Sequence, residues 1–532
     1  MNPIADNQTH TSFSKEAKIA LIVLFVLGML VTLTRFTRID RYQTSSDEML
    51  HLQSWRNRYD LNYQHAVGLR RIETSSKLSP GAREALINAY HEYKAVRFLL
   101  FIAGDPPSLL FSTSQEILRA IVGNSAIALR VPPVVFGAVF FAAMAVAGWK
   151  LGGPGTAVIA AVLTTISPVM DAYTNQGRPH VMAMAALSMV IAAFVRSRQM
   201  NGKGWRLTLL AALFAQLSHW GLWLTVAPFV AIELYDLLRR ESLAGVRRAW
   251  WYVVASVLML VIFVGYTLPF SSGAPHLGFQ GFGRLFDAIG TVGPFGAAFV
   301  FRGPLVVDIY TLAPVSIAMV IAGVLTLLVS IVGAAMLPRA SYQNRLMFLA
   351  LAGVLLFFIV STVILGNARH IMILIPVCIL PTAVLVRQVF KRRDLLLTAV
   401  GCLLFASGQG LISLQNAQPA RWGHVRTTEP NFKQMATYLA GRMSSGDQWT
   451  GYQHFFADVL YPYGLLRDPL DSFERAMFEQ NVKAVKVASQ GDLFVVTSTD
   501  MFFNSQEFST LDKNTVEFEL FEPNHVIIKM PR

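Results

Sequence analysis

Apolar blocks long enough to cross a bilayer, about 20 residues each, recur along the chain from residue 20 to about residue 413. The chain then turns soluble in character. The blocks predict eleven spans, roughly 18–36, 127–149, 154–170, 180–197, 205–218, 219–238, 250–269, 309–337, 346–366, 370–388 and 395–413. The fifth and sixth are short and turn at "SHWG" near His219. The first block follows a polar, lysine-bearing N-terminus and ends in "TLTRFTR" with no small-residue cleavage site, so it reads as a retained anchor rather than a removed signal.

Two stretches break the rhythm of the blocks. The loop of about 37–126 holds "SDEMLHLQSWRNRY" and "GAREALINAYHEYKAVRF", whose apolar residues recur at near-helical spacing and predict amphipathic helices lying in the interface. The tail, 414–532, reads as a small α/β domain. It has a helix at "NFKQMATYLAGRM", a turn at Gly446-Asp447, a strand near "QWTGY", helices through "LDSFERAMFEQ", and strands at "LFVVTST", "VEFEL" and "HVIIKM". The expected organisation is a transmembrane domain over 1–413 followed by this tail.

Charge orients the spans. "KEAK", "WKLGG", "RSRQMNGKGWR", "LLRRESLAGVRR", "LPRASYQNR" and "RQVFKRRD" fall in alternate loops, while the opposite short loops hold little beyond Arg178 and Arg369. Basic loops stay cytoplasmic, so the N-terminus is expected inside, and an odd number of spans puts the tail outside. Arg35, Arg38 and Arg41 run against this pattern, but they open a long loop, where the rule weakens.

Composition fits the blocks, with 54% hydrophobic residues and only 14% charged. The net charge of +13 is spread between apolar runs rather than gathered into a basic domain, so nucleic acid is not the expected partner. Cys378 and Cys402 both lie within apolar runs and offer no disulfide framework.

Several residues stand where chemistry needs them. In "TSSDEMLHL", Asp47 and Glu48 sit just outside the first span. A carboxylate there suits a general base acting on a hydroxyl, and the same pair also suits the first turn of a helix capped by Ser45 or Ser46. "GDPPSLLF" around Asp105 and "ALRVPPVVFG" after Arg130 carry proline pairs, which force extended turns and end helices, as a re-entrant loop requires. Arg178 in "GRPH" and Arg369 in "GNARHIM" fall at outer span ends. An arginine near bilayer depth is costly, about 2.5–3.5 kcal/mol at a helix centre; guanidinium geometry suits a lipid phosphate, and snorkelling to the headgroups is the alternative. His180, His219, His276 and His370 share that side without the close pairing of a zinc motif, which favours interfacial hydrogen bonding over a metal site.

Taken in order, "SSDEM", "DPPSLL", "ALRVPPVVFG", "SP" at Ser167-Pro168, "GRPHVMAMAAL", "LSHWGLWL" and "ARHIMILIP" resemble the GT-C glycosyltransferases over about residues 20–388. The likeness is to the bacterial branch related to protein O-mannosyltransferases and the lipid A aminoarabinose transferase, many of which carry a small periplasmic domain like the tail. The resemblance implies a polytopic α-helical protein of the bacterial inner membrane that moves a sugar from a polyprenyl-phosphate donor to a hydroxyl. The acceptor would be a cell-envelope glycan, lipid or protein, and transfer would proceed with inversion on the periplasmic side. It implies that Asp47 is the base, that Glu48 assists or orients, and that Arg178, Arg369 and His370 bind the donor phosphate. Asp105, His180 and His219 are further substrate-binding candidates: His180 stands in place of the family's usual tyrosine and Asp105 in place of a histidine. No cofactor is required by this reading, and a divalent metal is left open. Two alternatives take the same lipid-linked sugars: a transporter or flippase, which tends to show internal repeats that this chain lacks, and an O-antigen ligase or polymerase, which uses a diphosphate donor.

Overall fold

A computed structural model describes residues 14–37, 79–92, 109–122, 126–167, 170, 173–174, 179–219, 221–262, 283–292, 314–337, 342–365, 371, 373–389, 432–444, 447–451, 491–498, 502–503, 516–521 and 525–530. The helices, numbered in chain order, begin with α1 (Lys15–Phe36), α2 (Pro80–Glu92), α3 (Leu109–Val122), α4 (Ala126–Gly152) and α5 (Pro154–Ile166). Next come α6 (His180–Gln199), α7 (Trp205–Ser218), α8 (Leu222–Arg248), α9 (Trp250–Ile262) and α10 (Gly283–Val292). The series continues with α11 (Pro314–Ala335), α12 (Tyr342–Leu365), α13 (Ile375–Val389) and α14 (Phe432–Arg442).

Among the described residues four helical stretches are long and apolar enough to cross a membrane, within α1, α4, α6 and α12, and α8 with α9 adds a fifth if that bent pair counts as one span. α5, α7, α13 and part of α11 are apolar but shorter. The predicted spans from 18–36 to 370–388 each overlap one of these helices in part, the sixth and seventh falling on the bent pair α8–α9; the eleventh, 395–413, lies outside the described residues, as do the first interfacial segment and the "LDSFERAMFEQ" helix. α2 occupies the second interfacial segment. α3 was not anticipated.

One expectation is overturned. Pro132 and Pro133 do not end a helix: both lie inside α4. Proline removes a backbone donor and crowds the preceding turn, but in membrane helices neighbouring elements satisfy the freed carbonyls. Both prolines are buried here.

α6 organises the bundle. It is apolar around its whole circumference, with 89% of its spanning window buried, the pattern of a helix enclosed by others rather than facing lipid. α4, α7, α8, α12 and α13 all contact it. α4 and α5 form a tight hairpin, turned at Gly153, whose φ of 83° is open to glycine and strained for other residues. Along its outer side α1 packs on α4 and α5 through Ala20, Leu27 and Val31 against Phe141, Ala145, Val158 and Ala161.

The helix ends sort into two groups. At one end the basic segments meet: Arg387 of α13 reaches Glu16 of α1 at 3.5 Å and lies over Gly155 of α5. There too, Gln199 of α6 donates to the Lys150 carbonyl of α4 at 2.7 Å, and Gln388 donates to the Met336 carbonyl after α11 at 2.9 Å. These contacts join loops that the sequence sets on one side.

Near this end Arg198 of α6 donates one guanidinium nitrogen to Glu233 and another to Asp236, both on α8. Thr208 of α7 donates to Glu233 at 3.0 Å, Gln343 of α12 donates to Asp236 at 2.9 and 3.1 Å, and Arg198 lies 4.8 Å over the Phe194 ring. Glu233 is fully buried. A buried carboxylate is tolerated only when paired and hydrogen-bonded, and this network supplies both conditions while tying four helices together.

The tail forms a four-stranded sheet in the order β1-β2-β4-β3, from β1 (Gln448–Gly451), β2 (Leu493–Ser498), β3 (Glu517–Phe521) and β4 (His525–Met530). β1 and β2 are parallel, while β4 runs antiparallel to β2 and β3, with Val495 opposite Ile528. β2 is a continuous buried run, Leu493 to Thr497, as expected of a strand covered on both faces. Asp447 holds the entry to β1 by accepting from the Ser444 and Asp492 backbone N–H groups, each at 2.7 Å. Lys529 sits 3.1 Å from Asp492, whose hydrogen bond and charge hold its ammonium pKa above the usual lysine value.

Candidate functional site

At the end of the bundle opposite the basic segments, polar side chains from distant parts of the chain gather. α6 opens directly after Pro179, which has no side chain able to cap its first turn. His180, its first residue, is buried and meets the edge of Tyr173 at 4.7 Å between ring centroids. A second imidazole, His219, lies 6.1 Å from His180. His219 is placed by the turn between α7 and α8, where the chain leaves the helix in an extended conformation and re-enters one at Leu222.

The orientation of His219 is fixed. Its Nδ1 accepts from the Gly221 backbone N–H at 3.0 Å. A ring whose Nδ1 accepts carries the proton of its neutral form on Nε2, so His219 offers a donor there. Gly221 also explains why the turn can close: a Cβ on it would stand 3.2 Å from both His219 Nδ1 and the Ile373 side chain. Ile373 lies just before α13, so the start of α13 abuts the α7–α8 turn.

The corner extends to α1 and α4. Arg35, in the last turn of α1, is buried. Its guanidinium and Thr174 cover Gly137 of α4, where a Cβ would fall 2.5 Å from Thr174 Cγ2 and 3.3 Å from Arg35 Nη1. Thr174 follows Tyr173, which completes a chain of neighbours from α1 through α4 to His180. Arg130, also in α4, is 1% exposed. It precedes Gly137 by seven residues, on the same helix face and roughly 10 Å away along the axis.

Of the candidates read from sequence, His180 and His219 come together in this corner. Asp47, Glu48, Asp105, Arg178, Arg369 and His370 lie outside the described residues. Arg35 and Arg130 are buried arginines, although in the sequence one reads as an orientation signal and the other as the prelude to a proline pair. The signal that could have found them is an arginine at the edge of an apolar run, where burial is costly. Among the described residues no group of three or more His, Cys, Asp or Glu side chains gathers to hold a metal ion.

No family model matches the chain, and no curated protein matches it. Comparison with solved structures finds similarity to crystal structures over nearly the full length of each chain. Those structures are of ArnT from Cupriavidus metallidurans. The structure bound to undecaprenyl phosphate is 14% identical with a TM-score of 0.38, and the apo structure is 13% identical with a TM-score of 0.39; each alignment covers 96% of this chain and 98% of the other.

Proposed function

We propose that the protein is an integral membrane glycosyltransferase that moves a sugar from a polyprenyl-phosphate donor to a hydroxyl of an envelope glycan, lipid or protein. The observation that carries the reading is the corner described above. His180 and His219 meet beside Ile373 at the end of the bundle away from the basic segments. Arg178 precedes His180 by two residues in the sequence and Arg369 precedes Ile373 by four, which supports a role for both beside this corner.

Sugar transfer develops positive charge at the anomeric carbon and negative charge on the departing phosphate, and a fixed array of donors and cations lowers that barrier. In this proposal Arg178, Arg369 and His370 hold the phosphate. The uncapped N-terminus of α6 adds backbone N–H groups and the positive end of the helix dipole. Asp47 takes the proton of the attacking hydroxyl, which enters opposite the phosphate and inverts the anomeric centre; Glu48 orients the acceptor. His180, His219 and Asp105 are the further candidates for contact with substrate. The corner and the tail face the periplasm of a bacterial inner membrane, since the opposite end carries the basic loops.

The test is transfer from a synthetic polyprenyl-phosphate sugar by the full-length protein in nanodiscs. Asp47→Asn is expected to express and insert normally and to lose transfer, while Arg178→Gln and Arg369→Gln lose donor binding. Full activity of Asp47→Asn with loss only in the arginine variants points instead to a ligase-type reaction on a diphosphate donor. Movement of donor across the bilayer without any glycosylated product points to a flippase.

A further inference from the structure

The break between α8 and α9 builds a second surface, outside the corner just described. α8 continues past the Arg198 network and is interrupted at Ser242, whose φ of 56° lies in the left-handed region that residues with a side chain adopt at a cost. Gly245 then folds in closely, with space for a Cβ denied by the Leu237 carbonyl and Glu241 at 2.8 Å. The chain resumes at Trp250, and α8 and α9 meet at a bend of 58°.

This elbow carries four arginines, Arg239, Arg240, Arg247 and Arg248. Two have partners: Arg248 pairs with Glu241, and Arg240 donates to the Asn201 and Gly202 carbonyls of the α6–α7 loop. Arg239 and Arg247 are exposed, and their guanidinium groups make no hydrogen bond or ion pair among the described residues. In sequence between them, Leu243 is 76% exposed, and Trp250 follows at 60%. Leu243 and Arg247 are four apart within the helical segment after the break and so share a face.

Within twelve residues around a strained turn the elbow carries an exposed leucine, an exposed indole and two exposed guanidinium groups that have no partner among the described residues, the marks of an interfacial anchor. Indole rings sit at headgroup level, apolar side chains enter the acyl boundary, and guanidinium groups take phosphate oxygens. We propose that the elbow is a docking site for an anionic phospholipid of the adjoining leaflet, with Arg239 and Arg247 on its phosphate, Trp250 at headgroup level and Leu243 against its chains. Charge decides the occupant. The elbow's one carboxylate, Glu241, is already paired, so a second copy of the same surface would set arginine against arginine.

The full-length protein, purified in mild detergent and incubated with phosphatidylglycerol or phosphatidylcholine, can be read by native mass spectrometry. Phosphatidylglycerol is expected to be retained in preference, with retention falling as salt is raised. An Arg239→Gln/Arg247→Gln variant is expected to lose roughly tenfold in retention, and Leu243→Ser to lose retention while keeping the salt dependence. Equal retention of the two lipids, or unchanged retention in the double variant, overturns the proposal. If the double variant does not fold, the unmodified protein decides: retention indifferent to salt overturns the assignment, as does a dimer that phosphatidylglycerol leaves intact. None of these readouts depends on sugar transfer.

Discussion

Gly137 shows how narrowly the corner beside His180 is packed. Alanine there would drive its methyl into Thr174 Cγ2 at 2.5 Å and crowd Arg35 at 3.3 Å. Overpacking of this kind costs about 1–3 kcal/mol, so Gly137→Ala is expected to lower the thermal unfolding midpoint of the protein in nanodiscs. Thr174→Ser removes the offending methyl, and the double variant should recover most of the loss; no recovery would mean that Arg35 rather than Thr174 meets the new group. The histidines of this corner were legible in the sequence because they stand in short turns between apolar runs. Arg35 was visible but misweighted. A charge at a span end reads equally as a snorkelling anchor or as a buried group, and only the packing of α1 on α4 separates the two.

At the scale of elements, the Arg198 network makes a sharper prediction. Removing one partner of a buried ion pair leaves the other charged and unpaired, at a cost of about 3–5 kcal/mol, whereas replacing the whole set by apolar groups is often neutral. Glu233→Gln or Arg198→Met alone should therefore lower the unfolding midpoint markedly. Arg198→Met/Glu233→Leu/Asp236→Leu should restore much of it. If each single variant is as stable as the parent, the network contributes nothing to holding α6, α8 and α12 together. The sequence could not show this network, because Arg198 sits in "RSRQMNGKGWR" and reads as one more orienting charge; its partners are 35, 38 and 145 residues away. The strands of the tail were legible from their β-branched and aromatic runs, and so were the long helices from their length. The Pro132-Pro133 pair was not, since its local rule is set aside by burial within α4.

For the molecule as a whole, the sequence's alternation of basic and uncharged loops foretells the two-ended arrangement, with Glu16, Lys150, Gln199 and Arg387 meeting at one end. It does not foretell which helices are enclosed. α1 makes the contrast plain. Leu27 is buried against its neighbours while Phe25, two residues earlier, is 69% exposed on the apolar outer surface. Phe25→Lys is expected to weaken insertion of α1 by about 2.5–3.5 kcal/mol at the helix centre, measured as protein released by alkaline carbonate washing. Leu27→Ala should leave membrane association intact and loosen packing instead, read as a lower unfolding midpoint. Equal release of the two variants would mean that α1 does not present Phe25 to lipid.

The enclosure of α6 also bears on how the protein is made. The ribosome delivers Arg198 well before Gln343, and at about 5–20 residues per second the interval is roughly 7–30 s. During that interval the newborn helix waits in the bilayer without its final neighbours, its guanidinium lacking part of its eventual company. Until α12 arrives, the pairing of α6 with α8 is incomplete, so a chain halted before Gln343 is expected to be more open to protease between α6 and α8 than the finished protein.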